Sequence, residues 1–313
     1  MKVNYNSVRR RLLALGWFCG LLLLAAPARA ADLQVWVTLE PQAYVVERIG
    51  GEAVGVQTLV PSGRSPATYA PTPLQLEALS GADLLFGMGM PMEKRLMERM
   101  GGVVRKVQVV GVETWRLENE ALADGSEGHG HGHQHDACAG GLCATGPMDP
   151  HLWMDLLQMQ AFAEKVAATL SALRPDAAAD FARRAAELNE DLRVLDADIA
   201  RQLAPYRGRA FFINHASLGH FAARYGLEQR SIEIVGGAPS SRRVQAMLRE
   251  ARAANATAIL AQVQFSRTTA DVLARALDLP ILPVDPLRRD YLQNLTAVSE
   301  ALLQAFGPQE PGD

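Results

Sequence analysis

The sequence predicts an α/β fold of two lobes, each a parallel sheet flanked by helices, joined by one long rigid helix. Two observations carry this. Short apolar runs of strand length alternate with stretches of helical apolar spacing, once before residue 175 and again after residue 206. That alternation builds βα units and a parallel sheet. Between the two series, the run from Pro175 to Leu203 contains no helix breaker after its first turn, and Phe181, Leu188, Leu192, Leu195 and Ile199 fall at helical spacing. About 28 residues at 1.5 Å each reach roughly 40 Å, too long for one small lobe. Pro205 and Gly208 end the run.

Residues 1–30 lie outside the fold. Lys2, Arg9, Arg10 and Arg11 precede an uncharged apolar core from Leu12 to Ala26, and Ala28-Arg29-Ala30 closes it. This is the pattern of a cleaved secretory signal peptide. Removing it takes five of the 31 basic residues and none of the 34 acidic ones, so the net charge goes from −3 to −8. An acidic protein of this kind has no electrostatic footprint for nucleic acid. The remaining length suffices for two lobes with separate cores.

In chain order, the first lobe reads as strand Leu33 to Leu39, helix Pro41 to Ile49, strand Val54 to Val60, helix Leu74 to Ser80, strand Ala82 to Phe86, helix Glu93 to Met100, strand Val107 to Val110 and helix Leu156 to Leu173. The second reads as strand Ala210 to Ile213, helix Ser217 to Tyr225, strand Ser231 to Val235, helix Ser240 to Ala253, strand Ala258 to Ala261, helix Thr268 to Leu277, strand Ile281 to Val284 and helix Tyr291 to Phe306. The expected division is 1–30 signal peptide, 31–173 first lobe with a His-rich loop at 127–146, 174–205 connecting helix, and 206–313 second lobe.

Five of the seven histidines lie between Glu127 and Trp153. His129, His131, His133 and His135 alternate with Gly and Gln in a segment nearly free of apolar side chains, which cannot order itself by burial. Four imidazoles on such a tether make a weak, adaptable collector of zinc, copper or nickel. Cys138 and Cys143 follow closely. A local disulfide is favoured in an oxidising compartment, with a thiolate metal pair as the competing reading.

Three polar groups sit where open α/β sheets bind ligands, beyond the carboxyl ends of strands. His215 follows the strand ending at Ile213, Asp285 follows the strand ending at Val284, and His151 opens the helix of the first lobe. Two imidazoles and a carboxylate suit zinc or manganese. Each residue alone also fits an ordinary turn role. Met88, Met90, Met92, Met97 and Met100 read as core filling before copper ligands. Trp36, Trp115 and Trp153 read as packing anchors, His220 as a helix-surface histidine and Arg242-Arg243 as a solvated face.

The chain resembles the zinc/manganese substrate-binding proteins of bacterial metal ABC importers, over nearly all of Asp32 to Phe306. The resemblance rests on Leu59-Val60-Pro61-Ser62-Gly63 with Ser65-Pro66-Ala67-Thr68-Tyr69, and on Ala82-Asp83 followed by Gly87. It also rests on the His-rich loop ending in Asp149-Pro150-His151-Leu152-Trp153, on Asn214-His215 with Tyr225-Gly226-Leu227, on Gln264-Phe265-Ser266 and on Asp285-Pro286-Leu287. It implies a metal in the interlobe cleft, with His151, His215 and Asp285 as ligands. It further implies a periplasmic monomer that captures Zn²⁺, with Mn²⁺ second, and delivers it to a membrane permease. Such proteins carry another histidine where Ala67 stands, so one ligand is missing; a loop histidine, Glu40, Glu233 or Gln264 is a candidate for its place. The alternatives are a zinc-dependent periplasmic hydrolase and a storage protein or adhesin on the same scaffold. Against the hydrolase, the chain has neither H-E-x-x-H nor G-x-S-x-G, and no enzymatic activity is expected.

Overall fold

The computed structural model describes residues 33–100, 107–117, 149–233 and 240–307. The expected signal peptide, the His-rich loop and both of its cysteines lie outside them. Two four-stranded sheets form the framework. The first contains β1 (Leu33–Val37), β2 (Val54–Thr58), β3 (Leu84–Phe86) and β4 (Gln108–Val110) in the order β2-β1-β3-β4. The second contains β5 (Ala210–Ile213), β6 (Glu228–Ser231), β7 (Ile259–Gln262) and β8 (Ile281–Val284) in the order β6-β5-β7-β8. Every pairing is parallel. The inner strands β3 and β7 are buried at every position, as sheets covered on both faces require.

The helices are α1 (Glu40–Gly50), α2 (Pro73–Ser80), α3 (Pro91–Met100), α4 (Leu156–Leu173), α5 (Ala178–Leu203), α6 (Gly219–Tyr225), α7 (Ser241–Ala253), α8 (Thr268–Leu277) and α9 (Tyr291–Phe306). Their starts follow local chemistry. Thr72 accepts from the Gln75 N–H at 3.3 Å, Asp155 from Leu157 at 2.9 Å and Asp290 from Gln293 at 3.3 Å, each satisfying a helix-end donor. Gly226 ends α6 in the left-handed conformation at φ 70°, which glycine adopts without strain.

Helix α5 spans about 39 Å and buries Phe181, Ala185, Leu188, Leu192, Ile199 and Leu203. It packs on α1 and α4 of the first lobe and on α6 and α9 of the second. Its polar side ties both lobes down. Arg184 donates to the Ile49 and Gly50 carbonyls at the end of α1, and Asp196 receives Arg224 and, at 2.8 Å, the Tyr225 hydroxyl of α6.

Two expectations are corrected here. The main core is shared: one buried cluster runs from β1 and α1 through α4 and α5 into β5, α6 and α9. Separate apolar clusters remain only around Trp36, Leu59 and Leu85, and around Phe212, Met247 and Ile259. The cause is α5, whose buried stripe touches both lobes and fuses their interiors. The strand expected over Ser231 to Val235 instead covers Glu228–Ser231. It is an edge strand fixed by backbone pairing to β5, so its polar side chains do not disqualify it.

Candidate metal centre

The carboxyl ends of β5, β7 and β8 face the turn that opens α4, and a small cavity lies between them. Ser65, Ala67 and Met90 wall it from the first lobe, His151 and Trp153 from the α4 turn, and His215, Gln262, Phe265 and Leu287 from the second. Its volume is ≈ 10 Å³, room for one water-sized occupant.

Each histidine is held by a carboxylate. The Nδ1 of His151 is 2.6 Å from Asp149 Oδ1, which also accepts the His151 backbone N–H at 3.0 Å. The Nδ1 of His215 is 2.7 Å from Glu233 Oε2. A carboxylate only accepts, so Nδ1 donates in both rings and Nε2 is the nitrogen left to meet a ligand. This is the arrangement that orients and strengthens imidazole as a metal donor. Phe265 stacks on His215 with ring centroids 4.0 Å apart at 16°, and Trp153 meets His151 edge-on at 5.1 Å. Both histidines are 5% exposed, so any ion between them sits largely out of water.

The two imidazole centroids lie 5.3 Å apart with planes at 77°. An imidazole centroid is about 1.1 Å beyond its Nε2, and zinc–nitrogen bonds are about 2.05 Å. Two rings on one tetrahedral ion therefore have centroids about 5.2 Å apart. The pair already has that spacing.

The structure brings His151 and His215 together. Asp285 is not on the cavity wall: its Oδ1 accepts from Gln264 Nε2 and, at 3.0 Å, from the backbone of Leu287, which does line the cavity. Among the described residues, no three or more His, Cys, Asp or Glu side chains converge tightly enough to share an ion. Glu40 is engaged by Arg289, Glu233 by His215, and the amide nitrogen of Gln264 by Asp285. His129, His131, His133, His135, Cys138 and Cys143 lie outside the described residues.

Other expectations change. His220 is fully buried, and its Nε2 lies 3.0 Å from the Asp149 carbonyl, so it pins the Asp149–His151 turn from the second lobe instead of facing solvent. Its helix is seven residues long and turns Gly219, His220, Phe221, Ala222 and Tyr225 inward, leaving only Ala223 and Arg224 partly exposed. Met88 and Met92 fill core as expected, whereas Met90 also reaches the cavity wall. Trp153 both packs and anchors: its Nε1 donates to the Pro286 carbonyl at 2.8 Å, and Tyr291 donates to the Trp153 carbonyl at 2.7 Å. Sequence reasoning missed Gln262 entirely; its position at the last residue of β7 was the available signal.

The family model described as the periplasmic component A of the zinc-uptake complex, ZnuA, matches residues 35–305. The chain is similar to the high-affinity zinc uptake protein ZnuA of Paracoccus denitrificans, with 27% identity over 240 residues, covering 71% of this chain and 74% of that protein. It is 26% identical over 278 residues to the zinc-binding lipoprotein AdcA of Streptococcus pneumoniae; the match covers 85% of this chain but spans only 52% of AdcA. A crystal structure of ZnuA superposes with a TM-score of 0.74 at 27% identity, covering 88% of this chain and 99% of that one.

Proposed function

The chain belongs to the family of the periplasmic zinc-uptake complex component A, and on that premise we propose that it captures one Zn²⁺ between its lobes and releases it to the membrane permease of a metal ABC importer. The observation that carries this reading is the His151–His215 pair, one imidazole from each side of the cleft at 5.3 Å. Each is oriented by its own carboxylate, and both open on a cavity for one small occupant. In this reading His151, His215 and Asp285 are the ligands, 31–173 and 206–313 are the lobes, and 174–205 is the spacer. Two imidazoles favour Zn²⁺ over Mn²⁺. The place of action is the periplasm. The loop around His129, His131, His133 and His135 collects further metal weakly.

Calorimetric titration of the chain with Zn²⁺ against Mn²⁺ at fixed pH tests this. The expected result is one tight zinc per chain, weaker manganese, and loss of the tight site in His151→Ala. Wild-type protein with no tight zinc, or a His151→Ala variant that binds like wild type, would overturn it.

A further inference from the structure

We infer that the side-chain amide oxygen of Gln262 is the fourth donor to the ion, standing in for the histidine that Ala67 does not supply. This rests on the reading that His151, His215 and Asp285 hold that ion.

Ala67 lines the cavity and has no donor atom. Glu40 is engaged by Arg289 and Glu233 orients His215. Gln264 also keeps a bare side-chain oxygen, but its amide nitrogen is tied to Asp285, and like Asp285 it stands behind the cavity wall and not on it. Gln262 does reach it, and it is only 3% exposed. Its backbone is held on both sides by one side chain: Asn214 Oδ1 accepts the Gln262 N–H at 2.7 Å, and Asn214 Nδ2 donates to the Gln262 carbonyl at 3.3 Å. Yet its own Oε1 is buried without a hydrogen-bond partner. A buried carbonyl oxygen left bare is costly, and Gln262 lines the same cavity as His151 and His215. A cation held in that cavity would supply its missing partner.

Two other groups on the wall are poorer candidates. The Ser65 hydroxyl is also buried without a partner, but a neutral hydroxyl oxygen carries less negative charge than an amide carbonyl oxygen and is the weaker donor to a divalent ion. The Met90 thioether is a soft donor better matched to Cu(I). A neutral amide has a further consequence. With one carboxylate and three neutral donors, the bound ion keeps a net positive charge, which holds it less tightly than a second carboxylate would. That suits a protein that must give its cargo up.

The test is zinc affinity by chelator competition in Gln262→Leu, Gln262→Glu and the double variant Ala67→His/Gln262→Leu. Ligand-field spectra of the Co²⁺-loaded proteins accompany it. Gln262→Leu should weaken zinc about 10- to 100-fold and shift the Co²⁺ bands, while the metal-free protein melts no lower than wild type. Gln262→Glu should bind at least as tightly as wild type, and the double variant should recover the lost affinity, which a purely structural role would not allow. Wild-type zinc affinity with unshifted Co²⁺ bands in Gln262→Leu overturns the inference. So does weakened binding in Gln262→Glu, which decides the matter if the leucine variant does not fold. The underlying site reading fails separately: His151→Ala would then bind zinc as tightly as wild type, whatever residue 262 does.

Discussion

The two sheets share one strand order, with the crossover direction reversing beside β1 in the first lobe and beside β5 in the second. That reversal opens a crevice at the carboxyl ends of the central strands, and the lobes finish it in opposite ways. In the first lobe it is plugged. Gln42 Oε1 accepts from Thr38 and Leu39 at 3.1 and 3.0 Å, while its Nε2 reaches the Phe86 and Gly87 carbonyls at 3.3 Å. Glu93 accepts from the Thr38 hydroxyl, Met88 and Gly89 at 2.6, 2.8 and 3.0 Å. Burial pushes the Glu93 carboxyl up against the pull of those three bonds. In the second lobe Asn214 makes the equivalent crossing bonds to β7, but the oxygens of Gln262 and Gln264 stay bare. Other buried polar atoms also lack a partner, Asn189 Oδ1 and Thr58 Oγ1 among them, so bareness counts here only because Gln262 also lines the cavity. On the proposed reading, one crevice is closed by its own side chains and the other leaves its polar groups toward the shared cavity.

The largest expected effect comes from breaking the plug. Gln42→Leu strands the Leu39 N–H and the Gly87 carbonyl, while the Thr38 N–H and the Phe86 carbonyl keep their own bond at 3.3 Å, and should cost about 2 kcal/mol of stability. Denaturant unfolding would measure this. Refolded protein should keep its zinc stoichiometry, because nothing in the plug touches the cavity. Loss of zinc at full stability would erase the contrast between the lobes.

On the ligand side the expectation reverses. Glu233→Gln removes the carboxylate that orients His215 and should lower zinc affinity about 10- to 100-fold, with thermal stability of the metal-free protein nearly unchanged. Glu233 is partly exposed, so little packing depends on it. A large drop in melting temperature with intact affinity would make Glu233 structural.

A smaller effect belongs to the bridge between the lobes. Arg289 at the start of α9 engages Glu40 and Glu47 of α1. The guanidinium is partly exposed, so Arg289→Ala should cost only ~1 kcal/mol. If that change alters zinc release more than stability, the bridge governs opening of the cleft.

The smallest effect concerns acid. Burial alone would raise Asp196, but hydrogen bonds from Arg224 and Tyr225 bring its carboxyl below the usual range. A depressed carboxylate stabilises the fold above its unfolded value, and that contribution is lost as pH falls through the folded value, below about pH 4. Burial raises Asp155, which acts in the opposite sense: it costs stability near neutrality and recovers it in acid. Asp196→Asn should therefore flatten the acid limb of the stability curve, measured by unfolding at stepped pH. An unchanged acid limb would remove Asp196 from the account.

Much of the fold was legible because its pattern was local. The expected bounds of α4, α8, α9, β5 and β8 match the structure residue for residue. The strong apolar periodicity of α4 and α9, and Thr268 opening α8, left few alternatives. Strand β6 was displaced because its side chains, Glu-Gln-Arg-Ser, carry no apolar signal, and its place comes from hydrogen bonds to β5. The shared core escaped the sequence because it depends on which face of α5 meets which lobe. At the site, His151 and His215 stood out by residue type and strand-end position. The pairing of their carboxylates did not: Glu233 stood out only as a candidate fourth ligand, 18 residues from His215, and Asp149 looked like part of a turn. Gln262 has no motif at all, and only burial beside the cavity makes it notable.

The most direct test of the central claim is X-ray absorption at the zinc edge on the full chain loaded with one equivalent of metal. The account predicts a shell of nitrogen and oxygen only, with outer scattering from two imidazoles, reduced to one in His215→Ala. Sulfur at about 2.3 Å, or four imidazoles that persist in that variant, would place the tight site in the loop around His129 to Cys143 and contradict it.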